Sequence, residues 1–226
     1  MNPWMLIESC QIPNKGGEMR LYRRAEEFSI MLVGGGELMN SRLHGSEDAL
    51  AALGCAHLVD RNTANILVGG LGMGYTLAAA LREVGPGARV VVAELVPEVV
   101  HWNQQHIGHF ANHPLDDPRT LVSIGDVLKV MDKEHGAFDA ILLDVDNGPE
   151  GLTHSDNNRL YSLQGLQIAY QALRPGGTLA VWSAGRDQGF SERLRATGFQ
   201  YEEKRVRAHS HGKGASHTIW VAQRDR

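Results

Sequence analysis

The chain lacks an excess of positive charge. Its 22 Lys and Arg stand against 26 Asp and Glu, a formal net charge of -4, so a phosphate backbone meets no general counter-charge and non-specific nucleic-acid binding is disfavoured. Cysteine is scarce: Cys10 and Cys55 are the whole complement of 226 residues. They lie far apart and fit no metal-ligand spacing, which predicts two reduced thiols packed as small hydrophobes. No apolar run approaches a membrane span. The segment Met1 to Glu8 has no basic stretch ahead of its short apolar one, so no secretory leader is predicted and a cytoplasmic protein away from membranes is expected. Eleven histidines still lack a ligand pattern. His101, His106, His109 and His113 share one segment and His209, His211 and His217 another, without a recognised metal spacing. Solvated loop histidines and no metal are the expectation.

What is present is ordinary globular material, 42% hydrophobic and 21% charged, enough for one substantial core and a small appendage. Alternation in Met5 to Ile12 and Met19 to Arg23, separated by Asn14-Lys15-Gly16-Gly17, and the run Phe28 to Val33 before three glycines predict β-hairpins. A helix is predicted over Ser46 to Leu53, with Ser46 as N-cap and Glu47 and Asp48 in its first turn. From Ile66 onward strand and helix signals alternate: strands near 66–68, 89–93, 120–123, 140–143 and 178–183, helices near 75–84, 97–106, 127–134, 159–173 and 190–197. Such alternation implies a parallel sheet with helices on both faces. Two strand-like runs, Phe199 to Arg207 and His217 to Ala222, then predict a closing hairpin. The expected division is 1–60, hairpins with a connecting helix, and 61–226, the α/β unit.

Chemistry concentrates where Ile66-Leu67-Val68 runs into Gly69-Gly70-Leu71-Gly72-Met73-Gly74, and where Val90-Val91-Val92-Ala93 ends in Glu94. A glycine-rich turn lets the backbone leave a strand sharply and approach a ligand where a Cβ would collide. An acid ending the next strand can accept hydrogen bonds from both hydroxyls of a ribose. Together they predict a nucleoside-bearing ligand. Gly70, Gly72 and Gly74 fall as G-x-G-x-G, one position short of the dinucleotide fingerprint, which disfavours a nicotinamide oxidoreductase.

This order of elements, with the glycine turn after the first strand, Glu94 after the second, Ile124-Gly125-Asp126 after the third and Leu173-Arg174-Pro175-Gly176-Gly177 before the fifth, resembles the class I S-adenosylmethionine-dependent methyltransferases. The resemblance implies an α/β, Rossmann-like seven-stranded methyltransferase fold, a parallel sheet closed by an antiparallel C-terminal hairpin, here with a small N-terminal β-hairpin region. Within that superfamily the chain is most similar to the spermidine-synthase-like branch, through its N-terminal hairpins, Asp117-Pro118-Arg119, Gly125-Asp126 and the acidic run Asp144-Val145-Asp146-Asn147-Gly148-Pro149. The resemblance makes Gly70, Gly72, Gly74, Glu94, Asp126, Val127 and Asp144 cofactor-binding, Asp144 and Asp146 catalytic, and Glu47 and Tyr161 substrate-binding. It implies S-adenosylmethionine or its decarboxylated form as cofactor, a small-molecule acceptor such as an amine, and a homodimer formed through the N-terminal hairpins.

The chain departs from aminopropyltransferases at three places. Met73 stands where that branch carries an Asp for the donor amine, Asn147 replaces the second Asp after strand four, and Gly45-Ser46 replace a Tyr and a Gln or His before Glu47. The expectation is therefore a group transferase favouring methyl transfer to a small molecule. Polyamine aminopropyl transfer is the alternative, and a non-catalytic nucleoside-binding dimerisation module a further one.

Overall fold

The computed structural model describes residues 2–13, 16–42, 44–145, 157–207 and 216–226. Four strands, β1 (Met5–Gln11), β2 (Glu18–Arg24), β3 (Glu27–Leu32) and β4 (Gly36–Asn40), form an antiparallel meander in chain order. Its inner positions, among them Leu21, Phe28 and Ile30, are buried. The free edge at β1 carries exposed Met5 and Leu6.

Next come α1 (Gly45–Gly54), β5 (Asn65–Gly69), α2 (Tyr75–Glu83), β6 (Arg89–Glu94), α3 (Pro97–Trp102), β7 (Thr120–Ile124), α4 (Val127–Asp132), β8 (Phe138–Leu143), α5 (Asn157–Leu160), α6 (Leu163–Ala172), β9 (Leu173–Ser183), α7 (Gln188–Thr197), β10 (Gln200–Arg207) and β11 (Ser216–Gln223). The large sheet has the order β10-β11-β9-β8-β5-β6-β7. Its strands β5 to β9 are parallel, and β11 pairs antiparallel with both β9 and β10. The expected fold is therefore present. Strands β5, β6 and β7 step outward in one direction, and the chain returns to lay β8 on the other side of β5. That reversal opens a crevice beyond the carboxyl ends of β5 and β8, where ligands bind in open α/β sheets.

One apolar cluster joins the small sheet to one face of the large one, from Cys10 and Ile30 through Leu50 and Val68 to Ile219. A second fills the opposite face, with Ile141, Leu166, Phe190 and Trp220. The helix α1 packs on the large sheet, for a Cβ on Gly54 would lie 2.2 Å from Leu142 and 3.0 Å from Ala180. Both thiols are buried and free. Burial pushes Cys10 up to about 11 and Cys55 to about 12, as small hydrophobes require.

Local details differ from the sequence expectation. The helix α1 starts at Gly45 with His44 as N-cap, so Ser46 lies inside it and donates to Glu47 Oε2 at 2.7 Å instead of capping. The helix expected over 97–106 stops at Trp102 and passes through a π turn, Asn103–Ile107. Gly108 permits this, since a Cβ there would sit 2.3 Å from the Asn103 carbonyl oxygen. The segment 159–173 divides into α5 and α6 because Ser162 caps α6, its Oγ accepting from Gly165 N at 3.1 Å. Arg119, beside Asp117, donates to the carbonyls of Leu81 and Val84 at the end of α2, a structural clamp on groups a helix end leaves unpaired.

Candidate active site

The crevice holds a cavity of about 630 Å³. Its floor is the glycine turn after β5. Gly70 has φ +88°, and a Cβ on it would lie 2.5 Å from the carbonyl oxygen of Asp144, so the turn can pack under the end of β8 only with glycine there. Asp144 N in turn donates to Gly69 O at 2.9 Å. Gly72, at φ +51°, faces Met39 of β4, whose sulfur would lie 2.9 Å from a Cβ. Asn103 holds the turn from behind, donating to Gly72 O at 2.8 Å and Val99 O at 2.9 Å. Gly70 and Gly72 line the cavity. Gly74, expected to bind cofactor as well, is not among the lining residues: it caps α2 at φ +82°, packed against Pro114 and Asn103. Its missing side chain serves helix packing.

Glu94 ends β6 with its side chain in the cavity wall. One carboxylate oxygen accepts from Leu71 N at 2.8 Å, the other from Val96 N at 2.9 Å. Burial raises its pKa, opposed by hydrogen bonds from the backbone N–H groups of Val96, Leu71, Gly72 and Leu95. Asp126 and Val127 line the same half of the cavity. Asp126 caps α4, accepting from Leu128 N at 2.9 Å.

Asp144 lies where β8 leaves the sheet. Thr76, near the start of α2, donates to its Oδ2 at 2.6 Å. Burial raises the Asp144 pKa, the Thr76 hydrogen bond opposing it. Glu47, from the first turn of α1, enters the cavity beside it. Burial, with the charge of Asp144, pushes Glu47 up to about 7. Two acids that cannot both ionise freely make a proton acceptor suited to neutral pH.

Tyr161, expected at the acceptor, is not among the described lining residues. It is buried, packed edge-on to Phe190, with its hydroxyl donating to Val145 O at 3.3 Å. Asp146 and Asn147 lie outside the described residues, as do His209 and His211 of the terminal hairpin. His217 does not: it sits on β11 in the cavity wall with Trp182 of β9, which corrects the reading of that histidine as a solvated loop residue. Sequence reasoning also missed Thr76 and Met39. Among the described residues no group of three or more His, Cys, Asp and Glu could hold a metal ion, and no helix is long and apolar enough to cross a membrane.

Residues 25–186 match the spermine/spermidine synthase domain. The chain belongs to that family. It is 29% identical over 121 residues to polyamine aminopropyltransferase 2 of Pseudomonas aeruginosa, covering 52% of this chain and 32% of that protein. It is 27% identical over 124 residues to the polyamine aminopropyltransferase of Korarchaeum cryptofilum, covering 55% and 36%. The chain thus spans about a third of the length of these curated relatives. Among solved structures, spermidine synthase from Thermotoga maritima superposes with a TM-score of 0.75 at 16% identity, over 96% of this chain and 72% of that one. A spermidine synthase in complex with the transition state analogue AdoDATO gives 0.73 at 17% identity, with the same coverage.

The raised Glu47 pKa carries a stability prediction. An unfolded carboxylate titrates near 4.3, so between about pH 4.5 and 7 the folded chain keeps a proton that the unfolded chain releases. That contribution is fully present below the unfolded value and is lost as pH rises to about 7. Glu47→Gln removes the cost of the buried charge, about 2–3 kcal/mol, so its Tm should exceed wild type by roughly 4–10 °C at pH 8 and by little at pH 5. Thermal unfolding at both values tests this; equal differences at the two would show that Glu47 titrates as a solvated acid.

Proposed function

We propose that this chain transfers an aminopropyl group from a sulfonium nucleoside, decarboxylated S-adenosylmethionine, to a small amine. The carrying observation is the Asp144–Glu47 pair, two acids with raised pKa beside the glycine turn. An amine near neutral pH is an ammonium and must lose its proton before it attacks. Asp144, oriented by Thr76, takes that proton, and Glu47 shares the charge. The donor supplies an electrophilic carbon on a sulfonium leaving group: the C–N bond forms as the C–S bond breaks, and the positive sulfur becomes a neutral thioether. Gly70, Gly72, Glu94 and Asp126 hold the donor's nucleoside, and alignment supplies much of the rate. The named activities of the curated relatives and the AdoDATO-bound structure support aminopropyl transfer over the methyl transfer favoured by sequence.

One observation favours the methyl reading. Met73 is a buried part of the cavity wall and offers no charge to a free donor amine. Incubating the chain with amine and either donor separates the two readings, because aminopropyl transfer releases methylthioadenosine and methyl transfer releases S-adenosylhomocysteine. Mass spectrometry should find methylthioadenosine with the decarboxylated donor. Met73→Asp should improve use of that donor by roughly 5- to 150-fold, the value of one charge-assisted hydrogen bond. S-adenosylhomocysteine as the sole nucleoside product would establish methyl transfer instead.

A further inference from the structure

The first turn of α2 reaches toward both acids of the site. Gly74 caps that helix, and the two residues after it have different partners. Thr76 donates to Asp144 Oδ2 at 2.6 Å, at the end of β8. Tyr75 is buried in the cavity wall with Ser46 and Glu47, and its hydroxyl donates to Ser41 O at 3.0 Å. Ser41 directly follows β4 and shortly precedes α1, the helix that carries Glu47.

Ser41 is itself tied to β3, its N donating to Phe28 O and its Oγ accepting from Phe28 N, each at 3.0 Å. His44, the N-cap of α1, stacks on the Tyr75 ring with centroids 4.7 Å apart and planes at 27°. Its Nδ1 lies 3.0 Å from Asp48 Oδ2, and Arg82, later on α2, pairs with the other oxygen of Asp48. The entry to α1 is thus held on α2 by a hydrogen bond, a stacked ring and an ion pair. The hydroxyl stays a donor at neutral pH, because burial, with the charges of Glu47 and Asp48, pushes Tyr75 up to about 12.

We propose that Tyr75 is a positioning residue for the proton acceptor: by fixing Ser41 and His44 to α2 it keeps Glu47 beside Asp144 in the cavity wall. The proposal rests on the reading of Asp144 and Glu47 as one proton acceptor and deepens it. Among the described residues, the charges that bear on Glu47 are those of Asp144 on β8 and Asp48 on its own helix. Asp48 keeps its partner Arg82 when Tyr75 is changed. Loss of the tyrosine hydroxyl therefore acts on Glu47 through its distance from Asp144 and its contact with water, and both changes ease its ionisation.

An NMR titration of the side-chain carboxyl carbons tests this, with Glu47→Gln identifying the signal. Wild-type Glu47 should titrate at about 7. Tyr75→Phe keeps the stacked ring and deletes only the hydroxyl; its Glu47 midpoint should fall by about one pH unit or more, toward the ~4.3 of a solvated glutamate. His44→Ala removes the stacking from the solvent side and should move the midpoint the same way by less. Methylthioadenosine affinity should stay within a few-fold of wild type in both variants. A tyrosine that serves packing alone would lower Tm and leave the Glu47 midpoint in place; that result, or a midpoint that rises, overturns the proposal while the acid pair stands. A wild-type midpoint at the solvated value overturns the proposal together with the reading of the pair.

Discussion

Asp144→Asn should lower turnover by roughly 10²- to 10⁴-fold, the usual contribution of a positioned base, while nucleoside affinity stays within a few-fold of wild type. Asparagine keeps an oxygen for the Thr76 hydroxyl, which donates to Asp144 at 2.6 Å, so the side chain should hold its place and lose only its proton affinity. Glu47, held at about 7 in the wild type by burial and by the charge of Asp144, then has to accept the proton alone, and residual activity should rise with pH through a value lower than that, because the charge of Asp144 is gone. The Thr76→Val variant gives a second readout. Without its hydroxyl nothing offsets the burial that raises Asp144, and the acid limb of the rate profile should move upward in pH. A folded Asp144→Asn enzyme with full turnover at every pH would mean the amine reaches the site already deprotonated, or that another group takes its proton.

The fold was legible in the sequence because each of its signals is local. Strands that end in glycine or an acid announce themselves within a few residues, and Gly70, Glu94, Asp126 and Asp144 all lie at such ends. Their convergence follows from strand order alone, so a correct fold places them together without any knowledge of side chains. What stayed hidden depends on contacts between distant segments. His217 reaches the cavity only because β11 inserts between β10 and β9, which brings it to Trp182 across a sheet that neither segment specifies by itself. Met39 crosses from the small sheet to the glycine turn for the same kind of reason. Gly74 packs at a helix start and does not line the cavity, a distinction hidden from sequence because close approach of a ligand and close packing of a helix start call for the same residue. The packing of Tyr161 was hidden because a tyrosine at a helix boundary can face the core or the cavity, and Phe190, nearly thirty residues later, supplies the surface it packs on.

Glu94→Ala should weaken binding of S-adenosylhomocysteine or methylthioadenosine by roughly 10- to 150-fold, equivalent to losing about 1.5–3 kcal/mol of hydrogen bonding to a charged acceptor. The loss has two sources. Glu94 holds the turn by accepting from Leu71 N and Val96 N, and in the proposed role its carboxylate also accepts from the ribose hydroxyls. A loop that loses its clamp would weaken every nucleoside alike, whereas a lost ribose contact weakens only ligands that carry the hydroxyls. A cycle with 2′-deoxy nucleosides separates them. Wild type should bind the deoxy ligand less tightly than the ribo ligand, and Glu94→Ala should bind both with nearly equal affinity. If instead the variant keeps the full preference for ribose, the carboxylate serves only to clamp the glycine turn, and the ribose must find its acceptors elsewhere in the cavity.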